Sequence, residues 1–412
     1  MQSSLNKWHV LVLVTLIWLL VFSFAWSGIA VLFPEIASDL NLNYAEIGLI
    51  WGGVSIGIAA FVLIGGMLGD RFGTRVIIGF ACFLGAISSF LRGVANSFIA
   101  LAMFMALFGV AEAAAEGSMS KTVTTSFKGK SLGLINGIQF SGFYLGGAIS
   151  MMVSATILSP MFGSWRGVMH LYGIIAIIIG ILWVVTIGDI PTTSSAEPTG
   201  KSLSRVIHSK DLWLDGIALF MLFFSTKGIM GYTPIYLVNV KGMEIGEASN
   251  LTSAFLWGGI IGGLALPVLS DRVGRKIVYI PSVVITAICI YLIPILSSLP
   301  LLAIIVACGV FTAGAATIHW AVVAESRGIE PAYYGTAFGL LATMGSIGGF
   351  LGPAIGGIIA EINESLPFVL WAGVLSISII AFYLIKGQAP GQREGWLAYG
   401  EGKCRDKARG IL

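Results

Sequence analysis

Ionisable side chains stand inside several long apolar runs of this sequence. Lys227 lies in the run 212–236, about 22 Å from its first residue if the run is a straight helix. A charge at such depth in a membrane helix is costly and usually has a function. An ammonium group in a central cavity would bind a carboxylate, a phosphate or a small inorganic anion. The alternative is a fixed ion pair with an acidic residue of another run.

Three more side chains in such runs could exchange protons. Glu112 and Glu116 are one helical turn apart in one run, and His319 lies in another. A carboxyl group in a low-dielectric cavity keeps its proton to a higher pH than in water, and histidine titrates near neutral pH. The alternatives are a pairing of either glutamate with Lys121 near the membrane surface, and an interfacial position for His319 beside Trp320.

Amide and aromatic side chains could complete such a cavity. Asn136 and Gln139 are three residues apart and share one face of a helix. Amides facing a cavity would form hydrogen bonds with a substrate, or they could bridge neighbouring helices. Trp26, Tyr144 and Trp257 could line the cavity with their rings, although aromatic residues of membrane helices mostly serve packing.

The composition is that of a membrane protein. Apolar residues make up 57% of the chain and charged residues 10%, whereas soluble domains carry about 25% charged residues. A bilayer core needs about 20 apolar residues in a helix. We therefore expect an all-α membrane protein with twelve transmembrane helices. The runs lie near 8–33, 46–68, 75–95, 98–120, 131–156, 166–187, 212–236, 250–268, 276–296, 299–323, 335–360 and 366–386.

The longest polar interruption divides these runs into two sets of six. Residues 188–211 are rich in Pro, Ser and Thr and are expected to form a linker between an N-terminal half, 1–187, and a C-terminal half, 212–386. A polar tail, 387–412, follows. The first run is too long for the apolar core of a signal peptide, so we expect it to be retained.

The basic residues predict the orientation. Nineteen of the 23 Lys and Arg residues fall on the side that holds both termini. Because cytoplasmic loops are enriched in Lys and Arg, we expect both termini in the cytoplasm and the chain in a plasma or inner membrane. The other side holds Arg92, Arg166 and Lys241. Arg92, at the outer end of its run, is expected to contact lipid headgroups.

No catalytic constellation, metal site or cofactor site is predicted. The four cysteines have neither metal-binding nor redox spacing. There is no Gly-x-x-x-x-Gly-Lys-Ser/Thr phosphate loop, so direct use of ATP is not expected. The net charge of +3 is too small to indicate a nucleic-acid partner. We expect a monomer in a lipid bilayer that is not an enzyme and has no cofactor.

Two similar segments lie 201 residues apart, each between the second and third runs of its half. Residues 66–75 read Gly-Met-Leu-Gly-Asp-Arg-Phe-Gly-Thr-Arg, and residues 267–276 read Pro-Val-Leu-Ser-Asp-Arg-Val-Gly-Arg-Lys. A repeat of this period predicts two similar halves in tandem. This organisation resembles the major facilitator superfamily of secondary transporters, whose signature here is Gly-x-x-x-Asp-Arg/Lys-x-Gly-x-Arg/Lys. The second copy has Pro267 in place of the first Gly.

The resemblance implies a gating role for the charged residues of both copies. A carboxylate near a helix start can accept hydrogen bonds from backbone N–H groups and pair with nearby Arg. Such a cluster would hold the halves together on the cytoplasmic side and release when they rock apart. A topology anchor is the alternative. The residues concerned are Asp70, Arg71, Arg75, Asp271, Arg272 and Arg275.

Two more segments resemble the organic anion:cation symporter branch of this superfamily. Lys227 stands about two turns before Pro-Ile-Tyr-Leu at 234–237, as a basic residue does in span 7 of that branch. Ala-Glu-Ala at 111–113, followed by Lys121, resembles its span 4, where the Glu is associated with proton coupling.

The chain departs from that branch at two places. The branch has an Arg two turns before this Glu, where the present chain has Met105. It also has an Asp-Arg pair in its first span, where Ala25 and Trp26 stand here. The branch's substrate site therefore cannot be transferred as a whole.

These features together predict a proton-coupled transporter for uptake of a small organic anion. Lys227 would bind the anion, Glu112 would carry the proton, and Asn136 and Gln139 would orient the substrate. The alternatives are an exporter or a carrier of neutral solutes or drugs, and a membrane sensor of the same fold without transport.

Overall fold

The computed structural model describes residues 7–127, 132–188, 206–326 and 334–386. These residues form twelve helices long and apolar enough to cross a membrane, and among them there is no strand. The predicted all-α fold is confirmed. The helices are α1 (Lys7–Leu40), α2 (Tyr44–Phe72), α3 (Thr74–Gly93), α4 (Phe98–Ser126), α5 (Leu132–Val153, Ser154–Leu158 and Ser159–Phe162), α6 (Trp165–Thr186), α7 (Lys210–Asn239), α8 (Ile245–Val273), α9 (Arg275–Leu292), α10 (Ser298–Glu325), α11 (Tyr334–Ala360) and α12 (Leu366–Tyr383).

Several helices extend beyond the apolar runs that predicted them. At the start of α2 the Asn43 side chain accepts from Glu46 N–H at 2.8 Å, and Glu46 Oε2 accepts from Asn43 N–H at 3.0 Å. This reciprocal cap satisfies backbone donors outside the apolar segment. Helix α7 begins at Lys210, the next-to-last residue of the predicted linker. Residues 189–205 of that linker and the predicted tail lie outside the described residues.

The repeat seen in the sequence is also present in the backbone. The turn between α2 and α3 passes through Gly73 at φ 86°, and the turn between α8 and α9 passes through Gly274 at φ 110°. Residues with a side chain rarely adopt a positive φ, so both copies of the motif need glycine at this position. The two halves therefore make the same turn at matched positions.

Two π-helical segments interrupt α1 and α5. They are Ile17–Ser23 in α1 and Ser154–Leu158 in α5. Such segments shift the direction of the side chains that follow them and often occur at functional sites. Ser23, which ends the first segment, donates from Oγ to the carbonyl oxygen of Phe143 on α5. This contact holds α1 against α5.

The halves touch along α2 and α11 on the side away from the termini. A Cβ atom at Gly48 would lie 2.2 Å from the carbonyl oxygen of Pro353, so the two backbones are nearly in contact. Tyr44 N–H donates to Glu361 Oε1 at 2.6 Å, and the Tyr44 and Tyr232 rings meet edge to face at 5.7 Å. We refer to Tyr44, Tyr232 and Glu361 as the outer latch, because they join the halves on that side.

Candidate functional site

Lys227 lies deep in α7 and points toward the N-terminal half. It is about 26 Å from Lys210 and 18 Å from Asn239 along the helix. Its ammonium nitrogen is 3.9 Å from the ring centroid of Trp26, 5.5 Å from that of Phe223 and 5.9 Å from that of Phe143. These distances fall in the range of cation–π attraction. The residue as a whole is partly exposed, and rings from both halves surround its cation.

Trp51 fixes this arrangement from α2. Its indole N–H donates to the carbonyl oxygen of Lys227 at 2.8 Å. Its ring stacks on that of Trp26, with centroids 4.8 Å apart and planes 12° apart. Trp26 and Trp51 are both nearly fully buried. Trp51 was missed by the sequence analysis, because a single tryptophan in an apolar run carries no signal of its own.

Glu112 lies in the middle of α4, about 21 Å from either end of the helix. The predicted run 98–120 placed Glu112 nearer to the C-terminal end of its helix, and the distance is larger because α4 continues to Ser126. Glu112 is buried, and its Oε2 atom has no hydrogen-bond partner among the described residues. A buried acceptor without a partner is unusual and calls for an explanation.

The charges of Glu112 and Glu116 act electrostatically on that of Lys227. No described carboxylate, however, lies within 4.0 Å of the Lys227 ammonium. The fixed ion pair that was the alternative reading of Lys227 is therefore not formed in the described part of the chain. The cation therefore has no close carboxylate partner among the described residues.

The other residues that the sequence predicted to line the cavity lie in different surroundings. Gln139 is fully buried, and neither atom of its amide has a hydrogen-bond partner in the described structure. Tyr144 reaches across to Gly259 of α8 and meets the Phe143 ring at 5.9 Å. Trp257 is 41% exposed on the same face of α8 as Ile261, away from the face that meets Tyr144. The Asn136 side chain lies outside the described residues.

His319 forms a buried pair with Asp215 of α7. Their Nδ1 and Oδ1 atoms are 2.6 Å apart, and both side chains are 0% exposed. The His319 ring is enclosed by those of Tyr279 at 5.1 Å and Phe382 at 5.6 Å. The interfacial alternative for His319 was thus wrong. Asp215 was missed, because its partner lies 104 residues away in the sequence.

Arg92 does not reach the lipid headgroups. It is 0% exposed, and its Nη1 donates to the carbonyl oxygen of Ala25 at 3.0 Å and approaches the Met105 sulfur at 3.6 Å. Its guanidinium also lies over the Phe108 ring, 4.5 Å from the centroid. The expectation failed because α3 packs this face against α1 and α4, which the position along the run does not reveal.

The first copy of the repeated motif makes contacts within the N-terminal half. Arg75 Nη2 donates to the carbonyl oxygen of Val184 on α6 at 2.7 Å. Arg71 is exposed beside the Phe72 ring, 5.3 Å from its centroid. The side chain of Asp70 lies outside the described residues.

The second copy is also internal to its own half. Arg275 pairs with Asp271 and with Glu325 of α10, the latter at 2.9 Å, and donates to Ser270 Oγ at 2.6 Å. Arg272 is exposed. In this conformation the described motif contacts tie helices within one half, while the outer latch joins the two halves.

Comparisons with known proteins agree with this architecture. A family model described as Major Facilitator Superfamily matches residues 15–249 and 242–398. The hexuronate transporter of Bacillus subtilis (strain 168) is 26% identical, covering 86% of this chain and 90% of the relative. The probable galactarate/D-glucarate transporter GudP of the same organism is 24% identical, covering 85% of each chain. The quinolone resistance protein NorA of Staphylococcus aureus (strain MRSA252) is 24% identical, covering 86% and 91%.

Solved structures show the same fold. An inward-facing, occupied structure of a bacterial homolog of the human lysosomal transporter Spinster has a TM-score of 0.74 at 20% identity, covering 93% of this chain and 97% of the other. A structure of the nucleoside transporter NupG has a TM-score of 0.76 at 16% identity, covering 92% and 100%. With its twelve helices, its repeated turn and a family match along most of its length, this chain belongs to the Major Facilitator Superfamily of membrane transporters.

Proposed function

We propose that this transporter takes up a small organic anion together with protons, by alternating access. The observation that carries the proposal is the Lys227 ammonium, which lies between the two halves among aromatic rings and without a carboxylate within 4.0 Å in the described structure. An ammonium group deprived of its hydration needs an anionic partner. A substrate carboxylate supplies that partner and leaves with each cycle.

The two halves contribute different parts of the proposed site. Lys227 and Phe223 belong to the C-terminal half, and Trp26 and Phe143 belong to the N-terminal half. An anion bound to Lys227 therefore touches both halves at once. Rocking of the halves around a site near the midplane is the general mechanism of this kind of transporter.

Glu112 is proposed to carry the coupled proton. It is central in α4, buried, and within electrostatic range of Lys227. In the empty site the Glu112 carboxylate partly balances the Lys227 charge. A bound anion takes over that role, and Glu112 then retains a proton more readily because two anions near one cation are unfavourable. Glu116, one turn away, is the second candidate for this proton.

Gln139 and Asn136 are proposed to orient the substrate. Gln139 has a fully buried amide whose two atoms lack partners among the described residues. We propose further that both termini are cytoplasmic, that the protein lies in a plasma or inner membrane, and that a monomer is the transporting unit. The bias of the basic residues supports the orientation.

The names of two relatives agree with an anionic cargo, since hexuronate and galactarate or D-glucarate are carboxylates. The runner-up is drug export, which the likeness to NorA favours. The carboxylates of Glu112 and Glu116, which act electrostatically on Lys227, would suit a cationic drug as well.

The test uses purified protein in proteoliposomes with a pH gradient, acid outside. Radiolabelled small carboxylates are added outside, and accumulation is measured with and without a protonophore. We expect accumulation of a carboxylate that stops when the gradient is collapsed. Extrusion of a cationic dye under the same gradient, with no carboxylate accumulated, would favour the exporter instead.

A further inference from the structure

The side chains around Lys227 are mainly apolar rings. Trp26, Phe143 and Phe223 lie within 6 Å of the ammonium, measured to their centroids. Trp51 backs the Trp26 ring, and Tyr144 extends the surface of Phe143. Phe143, Tyr144 and Phe223 are partly exposed, so their rings can contact a solute directly.

Few described groups near Lys227 can form hydrogen bonds with a solute. Ser55 lies beside the Lys227 side chain. A Cβ atom at Gly349 would be 2.8 Å from Ser55 Oγ and 3.3 Å from Lys227 Cγ. Gln139 lies one helical turn before Phe143 on α5, and the ionised carboxylates of Glu112 and Glu116 can only accept hydrogen bonds. A sugar acid carries oxygen on almost every carbon, and each buried hydroxyl without a partner opposes binding. A polyhydroxylated substrate is therefore poorly matched to these surroundings.

The charges also limit the substrate. Lys227 provides one positive charge, and Glu116 contributes negative charge within its electrostatic range even when Glu112 holds the coupled proton. A second carboxylate on the substrate would have no cation of its own to pair with. Arg92 cannot form an ion pair with a second carboxylate, because it is fully buried against Ala25 and Met105. One carboxylate on the substrate is favoured over two.

We propose that the substrate is a monocarboxylate with an aromatic or branched apolar body. This inference rests on the anion uptake proposed above. Its carboxylate pairs with Lys227, and its body packs against Phe143 and Phe223. The binding site thus departs from the sugar acids named for two of the relatives. In this proposal Lys227 selects the charge of the substrate, and the aromatic rings select its apolar body.

The test is equilibrium binding to purified full-length protein in detergent. The probes are benzoate, cyclohexanecarboxylate, glucuronate, galactarate and benzylammonium. We expect the two apolar monocarboxylates to bind at least about tenfold more tightly than glucuronate and galactarate. Phe143→Ala should weaken benzoate about tenfold, while Phe80→Ala, an exposed phenylalanine of α3, should leave it unchanged. Phe143→Leu, which keeps an apolar side chain, should recover part of the loss.

The outcomes separate this inference from the proposed function. Glucuronate or galactarate binding as tightly as benzoate would overturn the inference and leave anion transport in place. Equal affinity of benzoate for Phe143→Ala and the unchanged protein would also overturn it. Binding of benzylammonium without binding of any carboxylate, or no binding of any probe, would overturn both.

Discussion

Replacing Lys227 with glutamine removes a charge from the centre of the molecule and keeps a hydrogen-bond donor. The ammonium is 3.9 Å from the Trp26 ring centroid and has no described carboxylate within 4.0 Å. A bound carboxylate would therefore be its one close anionic partner. A hydrogen bond to a charged group is worth about 1.5–3 kcal/mol, and about 1.4 kcal/mol corresponds to a tenfold change. Lys227→Gln should thus weaken binding of the anionic substrate by about one to two orders of magnitude.

The same substitution has a smaller effect on the free protein. It removes cation–π attraction of about 0.5–2 kcal/mol, while it spares the cost of keeping an ammonium away from water. We expect a modest change in thermal stability, so the variant should be suitable for binding measurements. Lys227→Arg keeps the charge on a wider, planar group and should give an intermediate affinity.

The assay is equilibrium binding of the carboxylate that accumulates in proteoliposomes. Lys241→Gln is the matched control, because Lys241 lies beyond the end of α7 and donates to the carbonyl oxygen of Leu296. It should bind the substrate like the unchanged protein. Unchanged affinity in Lys227→Gln would refute the reasoning, and so would a transported substrate that is neutral or cationic.

Three further predictions concern the proton, the gate and the buried pair. Glu112→Gln should abolish accumulation driven by a pH gradient but keep counterflow exchange of labelled for unlabelled substrate. Accumulation as strong as in the unchanged protein would show that another residue carries the coupled proton. Asp70→Asn should slow transport sharply while substrate binding survives. Asp271→Asn should slow transport less, because the second motif copy is less regular. Transport by Asp70→Asn at the rate of the unchanged protein would contradict the gating role. Asp215→Ala leaves His319 buried without its partner and should lower the free energy of unfolding by about 3 kcal/mol, seen as a lower melting temperature. Substrate affinity measured in the same variant should stay unchanged, and an equally stable variant would show that the pair contributes little to stability.

The sequence by itself determined the class of fold. Twelve apolar runs of sufficient length predicted twelve helices because a bilayer core leaves each span to satisfy its own backbone hydrogen bonds. The motif repeated after 201 residues predicted two similar halves, and the turns at Gly73 and Gly274 agree with that repeat. The sequence also singled out Lys227 and Glu112, since ionisable residues are rare in such runs. These features are local, and composition and spacing are enough to reveal them.

Tertiary structure alone decided which side chains meet. Trp51 reaches the backbone of Lys227 across 176 residues of sequence, and Asp215 meets His319 across 104. Arg92 turned out to be buried because α3 packs against α1 and α4, and Trp257 faces outward because α8 presents another side to α5. A helix in a membrane is apolar on nearly all its faces. Its sequence therefore predicts that it spans the bilayer, whereas the packing of its neighbours decides which face lines the site.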